Sequence, residues 1–129
     1  MPKRILIVDD DVQILGMLKI TLKDWCSDCQ IVLAGNGLEA LRLIEAIEDR
    51  TQPFDIILTD YEMPHMNGQD LAQEIRQKWP NIHIILMSGK QLDNNFQEET
   101  SSEFDGFIRK PFIMQQIKQI FLHDPGILH

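Results

Sequence analysis

Five short apolar runs alternate along this chain with stretches whose apolar residues recur every three or four positions, and that alternation leaves few folds open. Ile5-Leu6-Ile7-Val8, Ile31-Val32-Leu33-Ala34, residues 54–59, residues 82–87 and Phe107-Ile108 read as strands. The first is apolar at every position, as expected of a strand covered on both faces. Helical faces lie between the runs. They are Leu15, Leu18, Leu22 and Trp25; Leu38, Leu41, Ile44 and Ile47; Leu71, Ile75 and Trp79; and Ile113, Ile117, Ile120 and Phe121. One of the aspartates at 9–11 serves as N-cap of the first helix, and Pro53 and Pro80 limit the second and third. Between Lys90 and Glu103 only Leu92 and Phe96 are large and apolar, which predicts a short helix or a mobile segment. Strands that alternate with helices of this length imply right-handed crossovers, a parallel sheet and helices on both of its faces. The 129 residues fit one domain, 1–124, with a tail at 125–129.

In such a sheet the carboxyl ends of all the strands share one edge, where open α/β sheets bind ligands. Asp60 stands where the third apolar run stops, followed by Glu62, Pro64, Asn67 and Gly68 in a loop. Asp9 and Asp10 follow the first strand, Ser88 the fourth and Lys110 the fifth. Each has an ordinary explanation: aspartates cap helices and shape turns, serines bond in turns, and lysines sit solvated at strand ends. Their shared position on one edge favours one site over separate accidents.

Charge narrows the partners. With 12 Lys plus Arg against 20 Asp plus Glu the net charge is -8, which repels phosphate backbones and argues against direct contact with nucleic acid. The apolar run after Met1-Pro2-Lys3-Arg4 is too short for a signal peptide, and nothing approaches a membrane span, so a soluble cytoplasmic protein is expected. Cys26 and Cys29 form a C-x-x-C. The pair follows a helix where a thioredoxin-type pair begins one, and His65, His83, His123 and His129 lack the paired spacing of zinc ligands. Two reduced thiols are therefore expected.

Four segments in order resemble the receiver domain of two-component response regulators: residues 5–10, Asp60-Tyr61-Glu62-Met63-Pro64 with Met66-Asn67-Gly68, Met87-Ser88-Gly89, and residues 107–112. The resemblance runs from about Lys3 to Leu122. It implies a flavodoxin-like (βα)5 fold with strand order 2-1-3-4-5. It further implies Asp60 as phosphoacceptor and Mg²⁺, with Mn²⁺ as a substitute, held by Asp10, Asp60 and the backbone carbonyl of Glu62. Asp9 would act directly or through water. Hard oxygen ligands suit such a cation, which also relieves the repulsion of clustered carboxylates. The resemblance makes Ser88 and Lys110 the groups that bind the phosphoryl oxygens, and Phe107 an aromatic switch that turns inward. It implies a cis peptide between Lys110 and Pro111, which aims the ammonium into the site. The donor would be a sensor histidine kinase or a histidine phosphotransfer protein, and the output a protein docking on the face of helix 4, strand 5 and helix 5. Apart from phosphotransfer to itself and slow loss of the group, no enzymatic turnover is expected.

Some residues depart from the family pattern. Phe107 lacks the hydroxyl of the tyrosine many relatives carry, and Glu103 and Phe104 replace small residues before the fifth strand. Glu62 and Lys90 take positions that flank the phosphoryl group, where they would tune its hydrolysis. A phosphorelay carrier, or a receiver cut from a hybrid kinase, fits the same residues. A haloacid-dehalogenase-like phosphatase is the remote alternative: Asp9-x-Asp11 offers its D-x-D, but Gln13 and the lack of an acidic pair after the fourth strand oppose it. A receiver-like binding module that is never phosphorylated is a third reading, and the combination of Asp9, Asp10, Asp60, Ser88 and Lys110 opposes that one.

Overall fold

The computed structural model describes residues 3–47, 52–89, 92–110 and 114–123. Lys90, Pro111 with its peptide bond to Lys110, Ile113 and the tail lie outside them, as do the side chains of Ile120 and Phe121. Among the described residues five strands and five helices alternate: β1 (Arg4–Val8), α1 (Val12–Trp25), β2 (Gln30–Ala34), α2 (Gly37–Glu45), β3 (Ile56–Asp60), α3 (Gly68–Lys78), β4 (His83–Ser88), α4 (Asn94–Glu99), β5 (Gly106–Arg109) and α5 (Met114–His123). The strands form one parallel sheet in the order β2-β1-β3-β4-β5.

Each of the first four helices begins at an Asx residue for the same reason: its side-chain oxygen accepts a backbone N–H of the first turn that has no partner within the helix. Asp11 caps α1 through Gln13 N at 2.9 Å, Asn36 caps α2 through Glu39 N at 2.8 Å, Asn67 caps α3 through Asp70 N at 2.8 Å, and Asp93 caps α4 through Phe96 N at 2.8 Å. Two further carboxylates fix register at the amino ends of the strands. Asp55 accepts from Arg4 N at 2.9 Å, joining β3 to β1, and Asp105 accepts from Ile84 N at 2.9 Å, joining β5 to β4. Arg76 of α3 closes the second of these joints, donating to Asp105 at 2.5 Å, to the Ile82 carbonyl at 2.6 Å and to the Glu103 carbonyl at 3.1 Å.

Side chains alternate across the sheet, so each central strand fills two cores. Leu6, Val8, Ile57 and Leu86 pack under α2 and α3 with Ile44, Leu71 and Ile75. Ile5, Ile7, Leu58 and Met87 pack under α1 and α5 with Leu15, Leu18, Leu22 and Ile117. Ile117 is the one member of the expected α5 face whose side chain is described.

Two expectations are corrected. Leu38 is half exposed, and the α2 side chains fully buried are Ala40 and Ile44. The cap at Asn36 starts the helix so that positions 37, 40 and 44 face the sheet. Cys26 and Cys29, expected as free thiols, are joined in a disulfide across the turn from α1 to β2, where their Cα atoms lie 5.4 Å apart and within bridging range. The segment before β5 does give a short helix: α4 has six residues and none of them is buried. It ends where the Thr100 hydroxyl donates to the Phe96 carbonyl at 2.7 Å.

The loop after β3 is held against the sheet by a close approach. Gly68 N donates to the Tyr61 carbonyl at 2.8 Å, and a Cβ at 68 would run into the carbonyl oxygen of Asp60 and meet Leu86 Cδ1 at 3.0 Å. The first obstacle is backbone, and the second is the methyl of a leucine fully buried in the core. Gly68→Ala is therefore expected to destabilise the fold by about 1–3 kcal/mol, the usual cost of overpacking, read as a lowered urea midpoint at unchanged slope.

Candidate functional site

Strand polarity and register decide which side chains meet. Val8 pairs with Thr59, and Asp60 with Met87, so β1, β3 and β4 end level at the carboxyl edge. The residues following those ends, with Lys110 after β5, surround an open cavity of about 360 Å³ lined by Asp9, Asp10, Asp11, Ile14, Asp60, Glu62, Gly89 and Lys110. The carboxylates of Asp9, Asp10 and Asp60 lie within 4.8 Å of one another. Asp9 is fully buried and Asp60 nearly so, whereas Asp10 is exposed.

Lys110 holds the arrangement together. Its ammonium donates to Asp9 Oδ2 at 2.7 Å and lies 3.2 Å from Asp60 Oδ1. The second Asp9 oxygen accepts from Asp11 N at 2.9 Å, so both oxygens of the buried carboxylate have partners. Asp9 thereby also orients Asp11, the cap of α1.

Burial raises the Asp60 carboxyl from 3.8 to about 6, and the charges of Asp9 and Asp10 push the same way; Lys110 opposes them. For Lys110 burial is the largest single influence and favours loss of the proton. The hydrogen bond to Asp9 and the charges of Asp60 and Asp9 outweigh it, and its pKa is raised. Three carboxylates served by one ammonium leave a surplus of negative charge, and oxygen donors so clustered suit a hard divalent cation. Asp9, Asp10 and Asp60 could hold it.

The structure thus brings together Asp9, Asp10, Asp60, Glu62 and Lys110. Ser88 is buried at the end of β4, beside the cavity without lining it, and its carbonyl accepts from Lys110 N at 2.8 Å. Phe107 is half-buried on the α3 and α4 side of the sheet, edge-on to Phe104 with centroids 5.7 Å apart. Lys90, expected to flank the phosphoryl group together with Glu62, lies outside the described residues. Ile14 and Gly89 line the cavity although sequence reasoning singled out neither for it. Their signal was positional: Ile14 lies in the first turn of α1 and Gly89 follows Ser88.

The description "Response regulator receiver domain" fits residues 5–122 of this chain. The chain belongs to that family. Receiver domains are phosphoacceptor signalling domains. Among relatives, sensor protein TorS of Escherichia coli (strain K12) is 30% identical over 93% of this chain and 12% of its own length. Response regulator protein PilR of Pseudomonas aeruginosa is 32% identical over 92% of this chain and 25% of its own. The chain therefore spans a quarter or less of either relative. Among solved structures, the response regulator protein TrrA from Thermotoga maritima, in complex with Mg(2+)-BeF, is 32% identical with a TM-score of 0.74, covering 92% of this chain and 95% of that one. The fold is the flavodoxin-like one of these domains. None of the helices among the described residues is long and apolar enough to cross a membrane.

The raised Asp60 carboxyl has a sign that can be tested. Its pKa in the folded chain lies above its ordinary value, so the folded state binds this proton more tightly. The cost of ionising it is absent below about pH 4 and fully developed above about pH 6. In chelator at pH 7, Asp60→Asn is expected to be more stable than the parent by roughly 1–3 kcal/mol, at 1.36 kcal/mol per pKa unit, and the difference to vanish at pH 4. Paired urea denaturations at the two pH values measure it.

Proposed function

We propose that this receiver takes a phosphoryl group onto Asp60 from a phosphohistidine on a sensor histidine kinase or histidine phosphotransfer protein. The observation that carries the reading is the shared edge: one nearly buried carboxylate, two more carboxylates within 4.8 Å and an ammonium at 3.2 Å, around an open cavity. An Asp60 oxygen attacks phosphorus; the P–O bond forms as the P–N bond breaks, and the departing imidazole takes a proton. Asp9, Asp10, Asp60 and the Glu62 carbonyl would hold Mg²⁺, which when bound neutralises charge on the transferring oxygens. That the relative TrrA is described in complex with Mg(2+)-BeF supports this choice of cation. Lys110 then pairs with one phosphoryl oxygen and Ser88 donates to another, each as a charge-assisted bond.

Two bonds of that kind, at about 1.5–3 kcal/mol each, approach the roughly 5.5 kcal/mol that reverses a 1:99 equilibrium. They draw the β4 end toward Asp60, and Phe107 moves into the space released. The output partner reads the changed face of α4, β5 and α5. We assign residues 1–124 to the receiver, 125–129 to its tail, and its place of action to the cytoplasm.

Incubation with acetyl phosphate and Mg²⁺ is expected to add one phosphoryl group per chain, seen as a mass increment removed by hydroxylamine. No increment is expected with Asp60→Asn or with chelator. Labelling that persists in Asp60→Asn would move the acceptor elsewhere. Asp10→Asn is expected to weaken Mg²⁺ about tenfold, or 1.4 kcal/mol, by calorimetric titration, because the exposed carboxylate is one ligand of several.

A further inference from the structure

The chain's two cysteines sit at the end of the molecule remote from the carboxyl edge, where α1 ends and β2 begins. Backbone hydrogen bonds hold this turn beside the disulfide. Cys26 N donates to the Leu22 carbonyl at 2.9 Å, Cys29 N to the Cys26 carbonyl at 3.1 Å, and Gln30 N to the Lys3 carbonyl at 2.8 Å. A four-residue loop also gains less chain entropy from a crosslink than a longer one, so the bond is one of several holds on this turn. The two sulfurs therefore stay adjacent when it opens, and adjacency favours its return.

The sulfurs differ in access. Cys29 is fully buried in the core beneath α1 and α5, while Cys26 is half-buried at the surface. Asp28 Oδ1 lies 3.3 Å from Cys26 Sγ, where it would accept the S–H of the reduced form. The carboxylate and the negative end of the α1 dipole both disfavour a thiolate at Cys26, which slows exchange and separates this pair from thioredoxin-type catalysts.

We propose that Cys26 and Cys29 form a reversible dithiol/disulfide centre, exchanging through Cys26 with small thiols and disulfides. In reduction, a thiolate of a small dithiol attacks Cys26 Sγ and the bond to Cys29 breaks. The second thiol of the reductant then displaces Cys26, leaving two protein thiols and one oxidised dithiol. In oxidation, a small disulfide such as oxidised glutathione forms a mixed disulfide at Cys26 and releases one thiol. Cys29 resolves it, releasing the second. Two electrons and two protons pass from protein to oxidant.

The test equilibrates the full chain in glutathione buffers of rising oxidised fraction, quenches with acid, alkylates and counts modified thiols by mass. The expected result is one transition from two modified thiols to none, with the far-ultraviolet circular dichroism unchanged. Cys26→Ser, at the half-exposed position, is expected to fold and to lose the transition. Asp28→Ala, which removes the acceptor, is expected to move the midpoint toward the disulfide by about two- to tenfold, the worth of one hydrogen bond to the reduced thiol. Two modifiable thiols at the most oxidising ratio would overturn the proposal, as would a bond that opens only after unfolding. An unmoved midpoint in Asp28→Ala would overturn the part given to the carboxylate.

Discussion

One ammonium group, just past the end of β5, lies against two carboxylates, Asp9 and Asp60, at the ends of β1 and β3, and the rest of the molecule is arranged so that it can. Lys110 and Asp9 are 101 positions apart in sequence. They meet because β4 and β3 lie between β5 and β1 in a sheet whose strands all run the same way. To reach Asp60 and Asp9, the lysine passes the end of β4, where the chain carries Ser88 and Gly89. The alignment is fixed from the far end: Asp55 and Asp105 accept backbone N–H groups of neighbouring strands, so β3 and β5 start in register with β1 and β4. Strands that start in register and are of similar length finish level.

The pocket is electrostatically incomplete as it stands. Asp9 is satisfied by Lys110 and the Asp11 amide, and its burial is tolerable for that reason. Asp60 has a longer contact to the same ammonium, at 3.2 Å, and burial with two negative neighbours pushes its proton affinity up. The site thus spends folding stability on a carboxylate that is costly to ionise, and the shortfall is one that a divalent cation would relieve. The same desolvation that raises its pKa exposes a nucleophilic oxygen to whatever enters a cavity open on one side.

Much of this was legible in the sequence, for reasons specific to certain residues. Ile5 to Val8 must be apolar throughout because alternate side chains enter different cores, and such a run is conspicuous. An aspartate among positions 9–11 was expected to cap the first helix, and Asp11 does, whereas the same role of Asn36, Asn67 and Asp93 emerged only from the structure. The α2 face was misread at Leu38 because periodicity alone does not fix phase. Ala40, small and easily overlooked, occupies the buried position. The roles of Asp55 and Asp105 were invisible, since a carboxylate before a strand looks like any polar loop residue until its neighbour strand is known. The disulfide was missed because spacing was judged against enzymes that use such pairs, while bonding needs only two Cα atoms within reach.

The helices are unequally secured, and the difference locates where the molecule can yield. Beneath α1 and α5 lie Ile5, Ile7, Leu18, Leu58 and Met87, all essentially excluded from water, with Cys29 tied to the end of α1. On the other face α4 contributes no buried residue. Its side chain Phe96 packs edge-on to Tyr61 with centroids 5.6 Å apart, and Arg109 reaches the preceding Leu92 carbonyl at 3.4 Å. An aromatic pair adds about 0.5–1.5 kcal/mol beyond area burial, far less than a helix with a filled apolar face would resist. Tyr61 is the residue next to Asp60, and its amide is fixed to the Met87 carbonyl at 2.9 Å, one residue before Ser88. A displacement at the ends of β3 and β4 therefore reaches α4, a helix with no buried residue, by way of the contact of Tyr61 with Phe96, whereas the opposite layer would have to repack a closed core to respond.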